Sequence, residues 1–219
     1  ESVGVSHTNP ELYYVPKQKA LKDYNTDYGN ELYMIEERPS DSQKDLASFK
    51  KPDAIANTED VLKNLKKDEK YSVDEDEYIK ARLFDMLIGD WDRHSGQWSW
   101  GEYNKGEKVI YKPIPKDRDQ AFTKYDGPLL AWIMTLSEFK HMQSFKYKIR
   151  DVKWLNREPY PLDVAVLKKS TKENWLAQAK YIQENLTDKE IEKAFKNLPK
   201  EVKDKTIDEI IAKLKYRKN

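Results

Sequence analysis

Cysteine is missing altogether from the 219 residues, which closes both disulfide frameworks and thiolate metal sites. That absence fits cytosol and bacterial envelope equally, so the redox compartment stays open. Glycine is scarce, at 7 residues, and nowhere clusters into a phosphate-cradling loop. Net charge is nearly absent too: 40 Lys plus Arg against 39 Asp plus Glu leave +1, so nothing global in the electrostatics calls for nucleic acid or an anionic membrane as partner. No window approaches the roughly 20 consecutive apolar residues that span a bilayer, and no transmembrane segment is expected. Neither an initiator Met nor an apolar leader opens the chain, and ESVGVSHTNP reads as the start of a mature or excised piece of something longer.

What is present divides at about residue 57. Residues 1–40 are rich in Tyr, Pro and Gly, with short strands expected at Leu12–Val15 and Glu31–Ile35, and a polar loop follows over 40–57. Residues 58–219 read as mainly helical. Thr58 is expected to cap a short helix carrying Val61, Leu62 and Leu65. Asp74–Ile88 is a clearer one: four acidic residues load its positive end, Ile79, Leu83, Met86 and Leu87 recur at helical spacing, and Gly89 stops it. QWSWGEY, the turn NKG and EKVIYKPI then read as a hairpin. A turn at Asp126–Pro128 leads into LLAWIMTLSEF, Pro159 and Pro161 fence a boundary, and capping boxes at Thr187–Glu190 and Thr206–Glu209 open two amphipathic segments. The lysine-rich 63–70 stretch and the basic terminus KLKYRKN read as solvated helix faces.

The hairpin gives the sequence its chemistry. GDWDRHSGQW (89–98) precedes it and PKDRDQAF (115–122) follows it, so two acidic clusters meet although distant in the chain. Phosphoryl transfer needs one carboxylate to position and deprotonate an attacking hydroxyl, and another to hold the magnesium that bridges the phosphates. Asp90, Asp92, Gln97, Asp117 and Asp119 are the oxygen donors on offer.

Asp92 and Gln97 stand five residues apart, and Asp117 follows the hairpin. In these residues the chain resembles the atypical kinase-like families: the spore-coat kinases, the secretory-pathway casein-type kinases and the phosphatidylinositol kinases. DRH at Asp92–His94 looks like their catalytic loop, and DRDQAF at Asp117–Phe122 is similar to the spore-coat family's Asp-x-Asp-x-x-Phe cluster. The motifs cover residues 74–125; the tail matches only in helical character. The resemblance implies an α+β, mostly helical, protein-kinase-like large lobe over 58–219, with 1–57 the end of a small lobe and hinge. It implies Asp92 as catalytic base with Arg93 and His94 beside it, and Asp117 as metal ligand with Asp119 its competitor. Gln97 takes the second metal seat, and Gln97 and Arg118 face the cofactor. Magnesium and ATP are the implied cofactors, and a protein, lipid or sugar hydroxyl the acceptor. Gln97 departs from the usual Asn by one methylene.

No VAIK-like lysine is recognisable in residues 1–60. The small lobe is therefore expected upstream, and the isolated chain should bind ATP weakly or not at all. The resemblance also implies a bacterial envelope or secretory setting. Other readings stand beside this one. Arg93 pairs with Asp90 or Asp117 as a brace, contacts phosphate, or does both. His94 organises its loop as a hydrogen-bond donor, Asp90 anchors the loop, and Trp98 and Trp100 belong to the core. The same Asp-Arg network would also serve a non-catalytic module of a larger envelope protein. GDWDR superficially resembles a two-metal phosphoesterase loop, but His7, His94 and His141 are too few and too scattered for that architecture.

Overall fold

The computed structural model describes residues 1–125, 127–136, 138–199 and 203–219. It is α+β, 44% helical and 15% strand, with a mixed sheet. In chain order the elements are β1 (Glu11–Val15), α1 (Asn25–Tyr28), β2 (Glu31–Ile35), β3 (Ala54–Asn57), α2 (Thr58–Lys67), β4 (Tyr71–Val73) and α3 (Glu75–Ile88). Then come β5 (Trp98–Lys105), β6 (Lys108–Pro115), α4 (Pro128–Ile133), α5 (Val152–Leu155), α6 (Tyr160–Val166), α7 (Lys172–Asn185), α8 (Asp188–Ala194) and α9 (Lys205–Lys218). Among the described residues no helix is long and apolar enough to cross a membrane.

Two sheets form. β1 and β2 pair antiparallel by themselves, Tyr13 opposite Tyr33, and leave Leu12, Tyr14, Leu32 and Met34 exposed on one face. The other sheet runs β3-β5-β6-β4, with β4 parallel to β6 and the remaining pairs antiparallel. β3 and β4 were not expected. Each is three or four residues long and lacks alternation of its own; the β5–β6 hairpin supplies the edges on which they pair. The sheet thereby draws on both sides of residue 57.

The hairpin turns at Gly106–Glu107, where Gly106 takes φ +62, and its open end holds Trp98 opposite Pro115. Trp98 and Trp100 lie on one face, buried against Tyr78 of α3 at ring distances of 5.0 and 5.7 Å. Val3, Val5, Val61, Ile88, Leu162, Ile182 and Leu214 join the same core.

α3 starts where the sequence places it: the Asp74 carboxylate accepts from the Glu77 N–H at 3.1 Å. Gly89 ends it in the left-handed region at φ +76, and a Cβ there would sit 2.9 Å from the Phe145 ring. Wedged between sheet, α7 and α9, α3 also buries Tyr78, Arg82 and Asp85, a second face that the apolar stripe did not reveal.

Several boundaries differ from expectation. Asn57, not Thr58, caps α2; Thr58 Oγ1 instead donates to the Ser95 carbonyl at 2.8 Å and accepts from the Trp100 indole at 3.0 Å. Asp204, not Thr206, caps α9, because its carboxylate reaches the Thr206 N–H at 2.8 Å. Thr187 caps α8 as expected. Pro159 and Pro161 mark a boundary as expected: they open α6, whose first turn needs no N–H from them. α4 is only six residues long, and Asp126 of the expected turn lies outside the described residues. The basic terminus is not a solvated face throughout. Arg217 donates to the Met86 carbonyl at 2.8 Å, covering the C-terminus of α3, and burial lowers its pKa to about 10.

Candidate functional site

The site is built on one buried carboxylate. Asp85, fully buried on α3, receives Arg93 Nε at 3.2 Å and Arg118 Nε at 3.0 Å, with Arg82 Nη1 at 3.8 Å. Arg82 continues outward to Asp163 and Asn156. None of Asp85, Arg82, Asp163 or Asn156 was singled out from the sequence, since a lone Asp inside an amphipathic helix reads as a solvent-facing residue.

Arg93 is the central strut. It is 0% exposed, and beyond Asp85 it donates to the carbonyls of Lys116 (2.7 Å), Asp117 (3.2 Å) and Gln97 (3.0 Å). Its guanidinium also stacks on Trp98 and lies 3.5 Å from Asp90 Oδ2. The side chain is thus fully committed to joining the two ends of the hairpin, leaving no face for a phosphate. Asp90 anchors the loop, its N–H bonded to the Asp85 carbonyl at 2.9 Å. Burial, opposed by Arg93, pushes its carboxyl up to about 7.

The strut brings together Gln97 and Asp117. Gln97 Nε2 donates to Asp117 Oδ2 at 2.9 Å, and the Asp117 carboxylate is exposed. Asp117 itself is held in the left-handed region, φ +53, a conformation that Asp tolerates better than most residues and that recurs at functional sites. Gln97 Oε1 accepts no hydrogen bond among the described residues.

The other candidates form a second group. Asp92 is partly exposed, with His94 Nε2 4.0 Å from its Oδ1. His94 does organise its loop, but as an acceptor: Nδ1 takes the Gly96 N–H at 3.0 Å, leaving the proton on Nε2. Asp119 is exposed and accepts from Gln120. Asp92 and Asp119 share an influence on Tyr125, whose hydroxyl pKa is raised first by burial and then by these two carboxylates. That hydroxyl and the Trp91 indole N–H lie buried beside each other. Tyr125 was missed because nothing local marks it.

As a donor set for magnesium, an exposed carboxylate beside an amide oxygen is chemically suitable, since this ion prefers oxygen and keeps several waters. Among the described residues no three His, Cys, Asp or Glu side chains cluster as a closed metal site. No family model, characterised protein or solved structure matches the chain.

Proposed function

We propose that the chain is an atypical kinase-like domain that transfers a phosphoryl group from ATP to a hydroxyl acceptor, with magnesium. One observation carries the reading: Gln97 and Asp117, twenty positions apart, meet at 2.9 Å across the open end of the hairpin with oxygens still free. Asp117 and Gln97 Oε1 would hold magnesium, whose positive charge would supply neutralisation of the phosphates. Asp92 positions the acceptor hydroxyl and takes its proton, with His94 Nε2 4.0 Å from its Oδ1. Arg93 and Arg118 act as positioning residues through Asp85 and the hairpin carbonyls.

Titration of the chain joined to its expected small lobe with magnesium and ATP tests this in the wild type, Asp92→Ala and Asp117→Ala. Asp117→Ala should lose metal-dependent nucleotide binding, and Asp92→Ala should keep binding and lose turnover. If both variants match the wild type, the enzyme reading fails. The convergence of three arginines on buried Asp85 favours a second reading, a non-catalytic kinase-like module of a larger envelope protein. That reading predicts no turnover in any of the three proteins and lower melting temperatures for both variants.

A further inference from the structure

A cleft of about 500 Å³ runs along the free edge of β3, bounded by Arg38, Pro39, Asp41, Ile55, Asn57 and Lys116. Its size is that of a small-molecule site. Two of its walls are cationic. Lys116 is partly buried, Arg38 is exposed, and both line the same concavity. Among the described residues neither side chain has a carboxylate partner, in contrast to Arg82, Arg93 and Arg118. The carboxylate that lines the cleft, Asp41, is turned to the Ile55 N–H, which it accepts at 2.6 Å, and Asp117 accepts from Gln97. Two like charges held in one concavity are relieved by an anion that bridges them, and phosphate oxygens suit a guanidinium and an ammonium together.

We propose that this cleft binds a phosphate-bearing small molecule, its phosphoryl oxygens held by Arg38 and Lys116 and its body lying along Pro39 and Ile55. The proposal does not rest on phosphoryl transfer, since it involves neither a metal nor a bond change.

Calorimetric titration of the 219-residue chain in EDTA, with inorganic pyrophosphate and then ADP, tests it. Saturable binding is expected, weakened about tenfold by Arg38→Ala and by Lys116→Ala. Arg38 is exposed, so Arg38→Ala should keep the wild-type melting temperature and carries the test by itself. Asp117→Asn should bind pyrophosphate at least as well as the wild type, which separates this cleft from the metal-nucleotide reading. Absence of saturable binding, or equal affinity in wild type and Arg38→Ala, overturns the proposal. So does association only with phosphatidylcholine vesicles doped with phosphatidic acid, because the ligand would then be a lipid headgroup.

Discussion

Asp90 and Asp92 are two residues apart, yet one is 2% exposed and the other opens to solvent; Asp85 and Asp117, joined through Arg93, differ in the same way. The inner set (Asp85, Asp90, Arg82, Arg93, Arg118) is closed upon itself, with charges matched by charges and carbonyls. The outer set (Asp92, Asp117, Asp119) hangs on that frame with oxygens still reachable. Acidic clusters that look uniform along the chain are thus sorted by burial into residues that fix the shape of a loop and residues available for chemistry. Substitutions should fall into the same two classes.

The largest effect is expected at Asp85. Asp85→Ala leaves buried guanidiniums without their shared counter-charge, and should cost about 3–5 kcal/mol in denaturant unfolding. Thr58→Val tests the tie between α2 and the acidic loop. It removes the hydroxyl that serves Ser95 and Trp100 and should cost about 1–3 kcal/mol by the same measurement.

Asp90 sharpens the contrast through pH. Burial raises its carboxyl to about 7, so the folded protein keeps a proton that the unfolded chain releases near its ordinary value of about 4. The stabilising contribution is full below about 4 and is lost as pH rises through about 7. In Asp90→Asn that component disappears. The melting temperature of the variant, relative to wild type, should therefore climb between these two pH values and level off above them. A parallel pair of curves would show that Asp90 titrates as an ordinary surface carboxylate. The smallest stability change belongs to Asp92: Asp92→Asn should stay within about 0.5 kcal/mol of wild type. On the phosphoryl-transfer reading its turnover should fall by roughly 10²- to 10⁴-fold, read in a steady-state assay.

Much of the frame was legible because its signals are local. Asp74 and Gly89 bracket α3 by capping chemistry, and alternation with a turn marks β5 and β6. β3 and β4 were not, because Ala-Ile-Ala-Asn and Tyr-Ser-Val carry no pattern until a hairpin edge is beside them. Adjacent capping residues also mislead: Asn57 and Thr58 can each accept from a helix N-terminus, and the choice goes to Asn57 once the Thr58 hydroxyl is claimed by Ser95 and Trp100. The meeting of Gln97 with Asp117 at the hairpin mouth was readable from topology. The Asp85 hub was not, because two of its three arginines sit 8 and 33 positions away and only the folded chain brings them inward.

The grip of Gln97 and Asp117 on a divalent metal is tested most directly by following the Gln97 side-chain amide in nitrogen-resolved NMR while paramagnetic manganese is added. Selective broadening of that amide, abolished in Asp117→Asn, is the predicted result. An unperturbed Gln97 signal, or the same broadening in the variant, would contradict it.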